Sequence, residues 1–285
     1  MTGAAFDYIA ASNAEEALSA LADGETAVLA GGQSIVLDVT NGHARPRRVV
    51  DINRVKEFDA YAEAGGLLRV GPLVRHRTFE SDAVSGALGH LLRTVVRHIG
   101  HPPIRARGTM VGSLAYAHPA AEWPVVATVL GAHIELAGPG GRRTVTAGEF
   151  FTGPFSTVRR PEELLTEVRL PMLPDGTGAG FAEHRPPQAK YAEVAAIAAV
   201  TVSGGKVSRA VIGLVNAGPR PVRARAAEQS LIGEPLSDAA ITQAAEAAAN
   251  LDADFRRHPG ADRRKRMDAV KVLTRRALSQ SREGA

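Results

Sequence analysis

The chain has 285 residues, 45% of them hydrophobic, and a net charge of +4. That supplies a sizeable core, and so mild a basicity is no sign of nucleic acid. The absence of cysteine excludes disulfides, thiolate nucleophiles, cysteine-ligated zinc and thiolate-held iron–sulfur clusters within the chain. No apolar run reaches about 18 residues and no leader pattern opens the sequence, so a cytoplasmic protein with no membrane span is expected.

The opening reads as a small α/β unit. A strand at Phe6-Asp7-Tyr8 precedes a helix that Ser12 can cap, with Glu15 and Glu16 in its first turn and a stop near Gly24. Ala27-Val28-Leu29-Ala30 is a short buried strand, and Arg48-Val49-Val50-Asp51-Ile52 another. From about Val55 the pattern changes. Leu67-Leu68-Arg69-Val70-Gly71 reads as a strand, and helical text begins at Thr78-Phe79-Glu80. An apolar helical stripe covers residues 90–99, with Gly100 and the Pro102-Pro103 pair as its stop. A helix over 124–130 follows Trp123; His133-Ile134-Glu135-Leu136 and Thr144-Val145-Thr146 flank a glycine turn, and Glu167-Val168-Arg169-Leu170 ends at Pro171.

Residues 174–180 are rich in proline and glycine and mark the domain boundary. Beyond it lie three strands, at Phe181-Ala182-Glu183, 195–202 and 206–215, the last two joined by a Gly204-Gly205 hairpin. Helices are expected over 224–231, 238–250 and 262–279. The last carries Arg263-Arg264-Lys265-Arg266, read as a solvated or partner-facing surface with Val270, Leu273 and Leu278 turned inward; no aromatic platform accompanies the charges. Nine histidines include no H-E-x-x-H, and the His98, Gly100, His101 group reads as a turn, so no metal site is expected.

Two loops carry the chemistry: Ala30-Gly31-Gly32-Gln33-Ser34 and Thr109-Met110-Val111-Gly112-Ser113. Glycine lets the backbone approach a bulky anion, and neighbouring N–H groups with Ser and Thr hydroxyls hold a pyrophosphate without a cation. Neither loop is a G-x-G-x-x-G or a G-x-x-x-x-G-K-[ST] motif. Two such loops far apart suggest one dinucleotide gripped from both sides.

The ordered series Val50-Asp51-Ile52-Asn53, Ile99-Gly100-His101, Ile104-Arg105-Ala106-Arg107-Gly108-Thr109, Gly112-Ser113-Leu114-Ala115, Pro119-Ala120-Ala121-Glu122-Trp123-Pro124, Phe150-Phe151-Thr152-Gly153-Pro154 and Glu163-Leu164-Leu165-Thr166-Glu167-Val168 resembles the flavin subunit of the molybdenum hydroxylases. The resemblance covers most of the chain. It implies an α+β fold: a two-part FAD-binding domain of the vanillyl-alcohol-oxidase/PCMH type over 1–174, divided into 1–54 and 55–174, then a domain of three antiparallel strands and a helical bundle over 175–285. It implies FAD as cofactor. Ala30, Gly31, Gly32, Gln33 and Ser34 would wrap the pyrophosphate, with Thr109, Val111, Gly112 and Ser113 on its other side. Ile99 and Leu165 would lie near the isoalloxazine, and Glu122 would bind the adenosine ribose. No residue need be a nucleophile or base.

The implied activity is electron transfer from iron–sulfur clusters to FAD and on to an external acceptor. The implied partners are a molybdopterin-binding large subunit and a [2Fe-2S] small subunit, in a dimer of heterotrimers. The chain departs from the family at Val111, where a second glycine is usual and a β-branched residue narrows the space for phosphates. It departs also at Ala106 (often Asn), at His118 (often Asp), at Tyr191-Ala192 (an Asp-aromatic pair) and in the segment after Ser34. These departures leave open a stand-alone FAD-dependent oxidoreductase and a scaffold without flavin.

Overall fold

The computed structural model describes residues 6–22, 24–258 and 260–284; residues 1–5, on which the reading of the N-terminus partly rests, lie outside them. The N-terminal unit runs β1 (Asp7–Ala10), α1 (Ala14–Leu21), β2 (Thr26–Leu29), α2 (Ile35–Thr40) and β3 (Arg48–Asp51). Its three strands are parallel, in the order β1-β3-β2. Helix α1 is capped one residue later than expected. Asn13, not Ser12, accepts the N–H of Glu16 at 2.9 Å, and Glu16 reaches back to the N–H and hydroxyl of Ser12 at 2.8 Å each.

The second unit is built on an antiparallel sheet in the order β4-β5-β10-β6-β7. Its strands are β4 (Tyr61–Ala64), β5 (Leu67–Val70), β6 (His133–Gly138), β7 (Gly141–Thr146) and β10 (Leu164–Pro171), with a small β8 (Phe151–Gly153) and β9 (Ser156–Thr157) hairpin. Over the sheet lie α3 (Gly86–Val96), α4 (Pro102–Arg107), α5 (Met110–Tyr116), α6 (Glu122–Leu130) and the single turn α7 (Ala147–Phe150). Three expectations change here. Helix α3 starts and ends earlier than 90–99. The Pro102-Pro103 pair does not only stop a helix but opens α4, because proline at the first helical position gives up no hydrogen bond. The second glycine loop is largely helical: Thr109 caps α5, and Val111 sits within it, buried in the core.

Strands β11 (Thr177–His184), β12 (Val194–Ser203), β13 (Lys206–Val215) and the two-residue β14 (Val222–Arg223) form an antiparallel sheet of four, one more than expected. Strand β11 already begins inside the glycine-rich 174–180 stretch. Gly204 and Gly205, at φ 58° and 76°, make the two-residue turn between β12 and β13. Helices α8 (Arg225–Leu231), α9 (Asp238–Ala247) and α10 (Gly260–Glu283) cover the outer face.

Strand β12 shows why this sheet reads as an unbroken apolar run. Ala195, Ile197 and Ala199 join the central core with α3, α5 and α6. Val194, Ala196, Ala198 and Val200 join the core beneath α8, α9 and α10. Successive side chains point to opposite faces, and both faces are covered. Val270, Leu273 and Leu278 of α10 are buried as expected, while Arg263, Arg264 and Lys265 are exposed. The helix can lie so close to β11 only because Gly180 has no side chain: a Cβ there would stand 2.1 Å from the carbonyl oxygen of Ala277. Gly180→Ala is expected to destabilise the chain by about 1–3 kcal/mol through overpacking, read from chemical denaturation.

Candidate cofactor site

The first glycine loop touches the two residues that lead into the second. A Cβ on Gly31 would lie 2.4 Å from the carbonyl oxygen of Arg107 and 2.7 Å from Cα of Gly108. Gly32, at φ 75°, turns the chain into α2. The backbone N–H groups of Gly31, Gly32, Gln33 and Ser34 donate to no other described residue. A run of unpaired N–H groups at a helix start is an anion-binding arrangement. Ser34 occupies the cap position of α2, but its hydroxyl makes no capping bond.

Side chains outside either loop lock them together. Asn53 donates through Nδ2 to the carbonyl of Ala30 at 2.9 Å and to Asp51 Oδ1 at 2.6 Å. Arg75 donates to Asn53 Oδ1 at 2.6 Å and to the carbonyl of Arg107 at 2.6 Å. Asp51 also accepts the Tyr8 hydroxyl at 2.6 Å. Burial pushes the Asp51 carboxyl up, but the hydrogen bonds from Tyr8 and Asn53 outweigh it and hold the pKa below the usual range.

His76 supports the second segment from behind. Its N–H donates to the carbonyl of Gly108 at 2.9 Å, and its Nδ1 accepts Trp123 Nε1 at 3.0 Å. A Cβ on Gly108 would meet the His76 ring at 2.7 Å, so this residue too must be glycine. Burial, helped by the charges of Arg105 and Arg75, pushes the His76 pKa down to about 3 and keeps the ring neutral. Thr109 accepts the N–H of Gly112 at 3.0 Å. Val111, within α5, is 3% exposed and packs in the central core.

Glu122 opens α6 and is only 5% exposed, with no donor to its carboxyl among the described residues other than its own N–H. Burial pushes its pKa up to about 8, with the Glu183 charge adding to the effect and Arg185 opposing it. Ile99 is half-buried at the end of the turn after α3, where Arg105 binds its carbonyl at 3.2 Å. Leu165 is 2% exposed and lies opposite Leu136 within the sheet, so it could act on a ligand only by backing other side chains. Ser113 lies within α5, one turn after Thr109.

Asn53 belongs to the segment that carried the resemblance, yet its role as the link between loops was not read. An Asp-x-Asn after a strand is a local turn signal, and Asn53 N–H does donate to Asp51 Oδ1 at 2.8 Å. Arg75 and His76 had no local signal at all.

With this geometry in hand, the comparisons are consistent along the whole chain. A family model described as the FAD binding domain in molybdopterin dehydrogenase matches residues 4–173, and one described as the CO dehydrogenase flavoprotein C-terminal domain matches residues 180–281. The chain belongs to the family of FAD-binding medium subunits of molybdenum hydroxylases. Its cofactor is FAD, and it is the flavin subunit of an oxidoreductase.

It is 37% identical, over 85% of this chain and 83% of the relative, to 6-hydroxypseudooxynicotine dehydrogenase complex subunit alpha of Paenarthrobacter nicotinovorans. It is 34% identical, over 84% and 82%, to caffeine dehydrogenase subunit beta of a Pseudomonas strain. Among solved structures, reconstituted CO dehydrogenase from Oligotropha carboxidovorans superposes with a TM-score of 0.92 at 29% identity, covering all of both chains. No helix among the described residues is long and apolar enough to cross a membrane.

The unpaired N–H groups at Gly31 to Ser34, the close loop contact and the buried carboxyl of Glu122 fit a bound dinucleotide. Gly31→Ala is expected to weaken FAD binding tenfold or more, read by titration of the apoprotein. The Cβ must push the two segments apart, an overpacking of about 1–3 kcal/mol. Glu122 gives a second expectation. The folded chain holds this proton up to about pH 8, whereas the unfolded carboxyl loses it near 4.5. Stability of the apoprotein therefore falls as pH rises from about 4.5 toward 8. Glu122→Gln should remove that part of the slope, so the melting temperature of the variant should gain on the wild type between pH 5 and pH 9.

Proposed function

We propose that this chain carries electrons within a heterotrimer, between a [2Fe-2S] small subunit and an external acceptor, while a molybdopterin-binding large subunit oxidises the substrate. The assembly is read as a dimer of such heterotrimers. The observation that carries this reading is the paired-loop cradle with its four unpaired N–H groups, set in a chain similar over its length to subunits of dehydrogenase complexes. The absence of cysteine agrees with metal centres held by partners. Relatives named for a nicotine derivative and for caffeine share this chain's pattern, which supports a subunit that serves different substrates and does not select them.

The finer architecture is read as a two-part FAD-binding domain of the vanillyl-alcohol-oxidase/PCMH type over 1–174, in parts 1–54 and 55–174, with a flavoprotein C-terminal domain over 175–285. Bound FAD supplies the redox chemistry, because a flavin can exchange electrons with one-electron and two-electron partners. The chain's own residues bind and orient it. Ala30, Gly31, Gly32, Gln33 and Ser34 hold the pyrophosphate by backbone N–H groups, and Thr109, Val111, Gly112 and Ser113 present the start of α5 to its other side. Glu122 offers its carboxyl to the ribose diol. Ile99 and Leu165 supply apolar support near the ring.

The test is isolation of the native complex followed by metal and cofactor analysis. The expected result is one FAD per copy of this chain, together with molybdenum and iron in co-purifying subunits. A native preparation containing this chain alone, active on a small substrate, overturns the heterotrimer. A preparation without flavin overturns the electron-transfer role.

A further inference from the structure

An aromatic cluster gathers where α5 turns into α6. Ala117 ends α5 in the left-handed region, at φ 50°, which throws His118 out of the helix. Its Nδ1 accepts the N–H of Ala120 at 3.1 Å, so in the neutral ring the proton sits on Nε2. The imidazole lies flat on Tyr191, with centroids 4.0 Å apart and planes at 18°. Phe155 meets the same ring edge-on at 5.1 Å, and its N–H donates to the carbonyl of Ala117 at 2.8 Å. Tyr116 donates its hydroxyl to Asp38 of α2 at 3.2 Å. The cluster thus runs from α2, the helix after the first glycine loop, to the ring of Tyr191.

That ring belongs to the other part of the chain. Tyr191 sits in the connection between β11 and β12, whose two stems are tied down. At one, Arg185 donates to the carbonyl of His98 at 2.6 Å and pairs with Glu183 at 2.7 Å. At the other, Arg266 donates to the carbonyl of Glu193 at 3.0 Å, and His184 meets the Glu193 carboxylate at 3.3 Å. Between the stems, Tyr191 stays 45% exposed, and its hydroxyl bonds to no described residue. Burial pushes its pKa up, and so do the charges of Glu122 and Asp38. Through His118 and Tyr116, the stack connects to Asp38 of α2, the helix after the first loop.

We propose that His118 is a positioning residue of the FAD site: stacked on Tyr191, it fixes a wall that the C-terminal part of the chain adds to the cofactor pocket. The inference rests on the reading of this pocket as the FAD site. An acid at this position could accept the N–H of Ala120 but offers no ring to stack. A neutral imidazole does both, and burial holds His118 neutral by pushing its pKa down.

The test uses the full chain with three variants. His118→Asn keeps an acceptor for Ala120 and removes the ring. His118→Phe keeps the ring and removes the acceptor. Tyr191→Leu attacks the stack from the other side. Affinity is read by titration of apoprotein with FAD, and the setting of the bound flavin by its visible circular dichroism. His118→Asn and Tyr191→Leu are expected to weaken FAD binding about 2–10-fold and to alter the dichroism alike, the range a single aromatic pair supports. The double variant should be no worse than either single one, and His118→Phe should stay within about twofold of wild type. A wild type that takes up no FAD overturns the reading of the pocket, and the proposal with it. A wild type that binds FAD while His118→Asn matches it in both readouts overturns the proposal alone. So does a His118→Phe variant that falls as far as His118→Asn.

Discussion

The carbonyl groups of Ala30 and Arg107 are held together by one pair of side chains, Asn53 and Arg75, and the candidate cofactor site depends on that link. Each glycine segment alone is a turn or a helix start, with no reason to face the other. Asn53 bonds the first, Arg75 bonds the second, and the two bond each other, so the segments meet at Gly31 and Gly108. The bonds are half-buried and one partner is charged, which makes them stronger than neutral surface contacts. The contact explains two glycines by the same reason: there is no volume for a Cβ between Gly31 and Arg107, or between Gly108 and His76.

The second constraint is the C-terminal sheet, buried on both faces. Its inner face packs against α3 and α6; Glu122 opens α6, and Ile99 follows α3. Gly213 of β13 lets α6 come close, since a Cβ there would stand 2.5 Å from Val125. The sheet is therefore a wall against which the site's helices are set as well as a separate layer. The same packing explains the raised pKa of Glu122, because it removes water from the start of α6 while placing Glu183 nearby.

Much of this was legible locally. The glycine pair after β2 and the Gly204-Gly205 hairpin follow from conformational rules acting over a few residues. The errors share a cause. Ser12 and Asn13 are both good caps; in the fold Asn13 accepts the N–H of Glu16, while Ser12 donates to the Glu16 carboxylate. The segment around Val111 reads as a loop in the sequence; in the fold it is helical, and the Val111 side chain packs in the core. Strand β14 is two residues long and has no periodicity to detect, since it exists only by pairing with β13.

The sequence by itself determined the class of protein: the ordered motifs and the apolar strands of the C-terminal part were sufficient for a flavin-bearing subunit, and the lack of cysteine for one without thiolate-held clusters. Tertiary structure alone decided how the site is held. The Asn53–Arg75 link, the neutral His76 behind Gly108 and the stack of His118 on Tyr191 join residues distant in the chain. Local pattern reports backbone preference and burial over one or two turns. Which distant side chains then meet is settled by packing three cores at once, and no short-range signal encodes it.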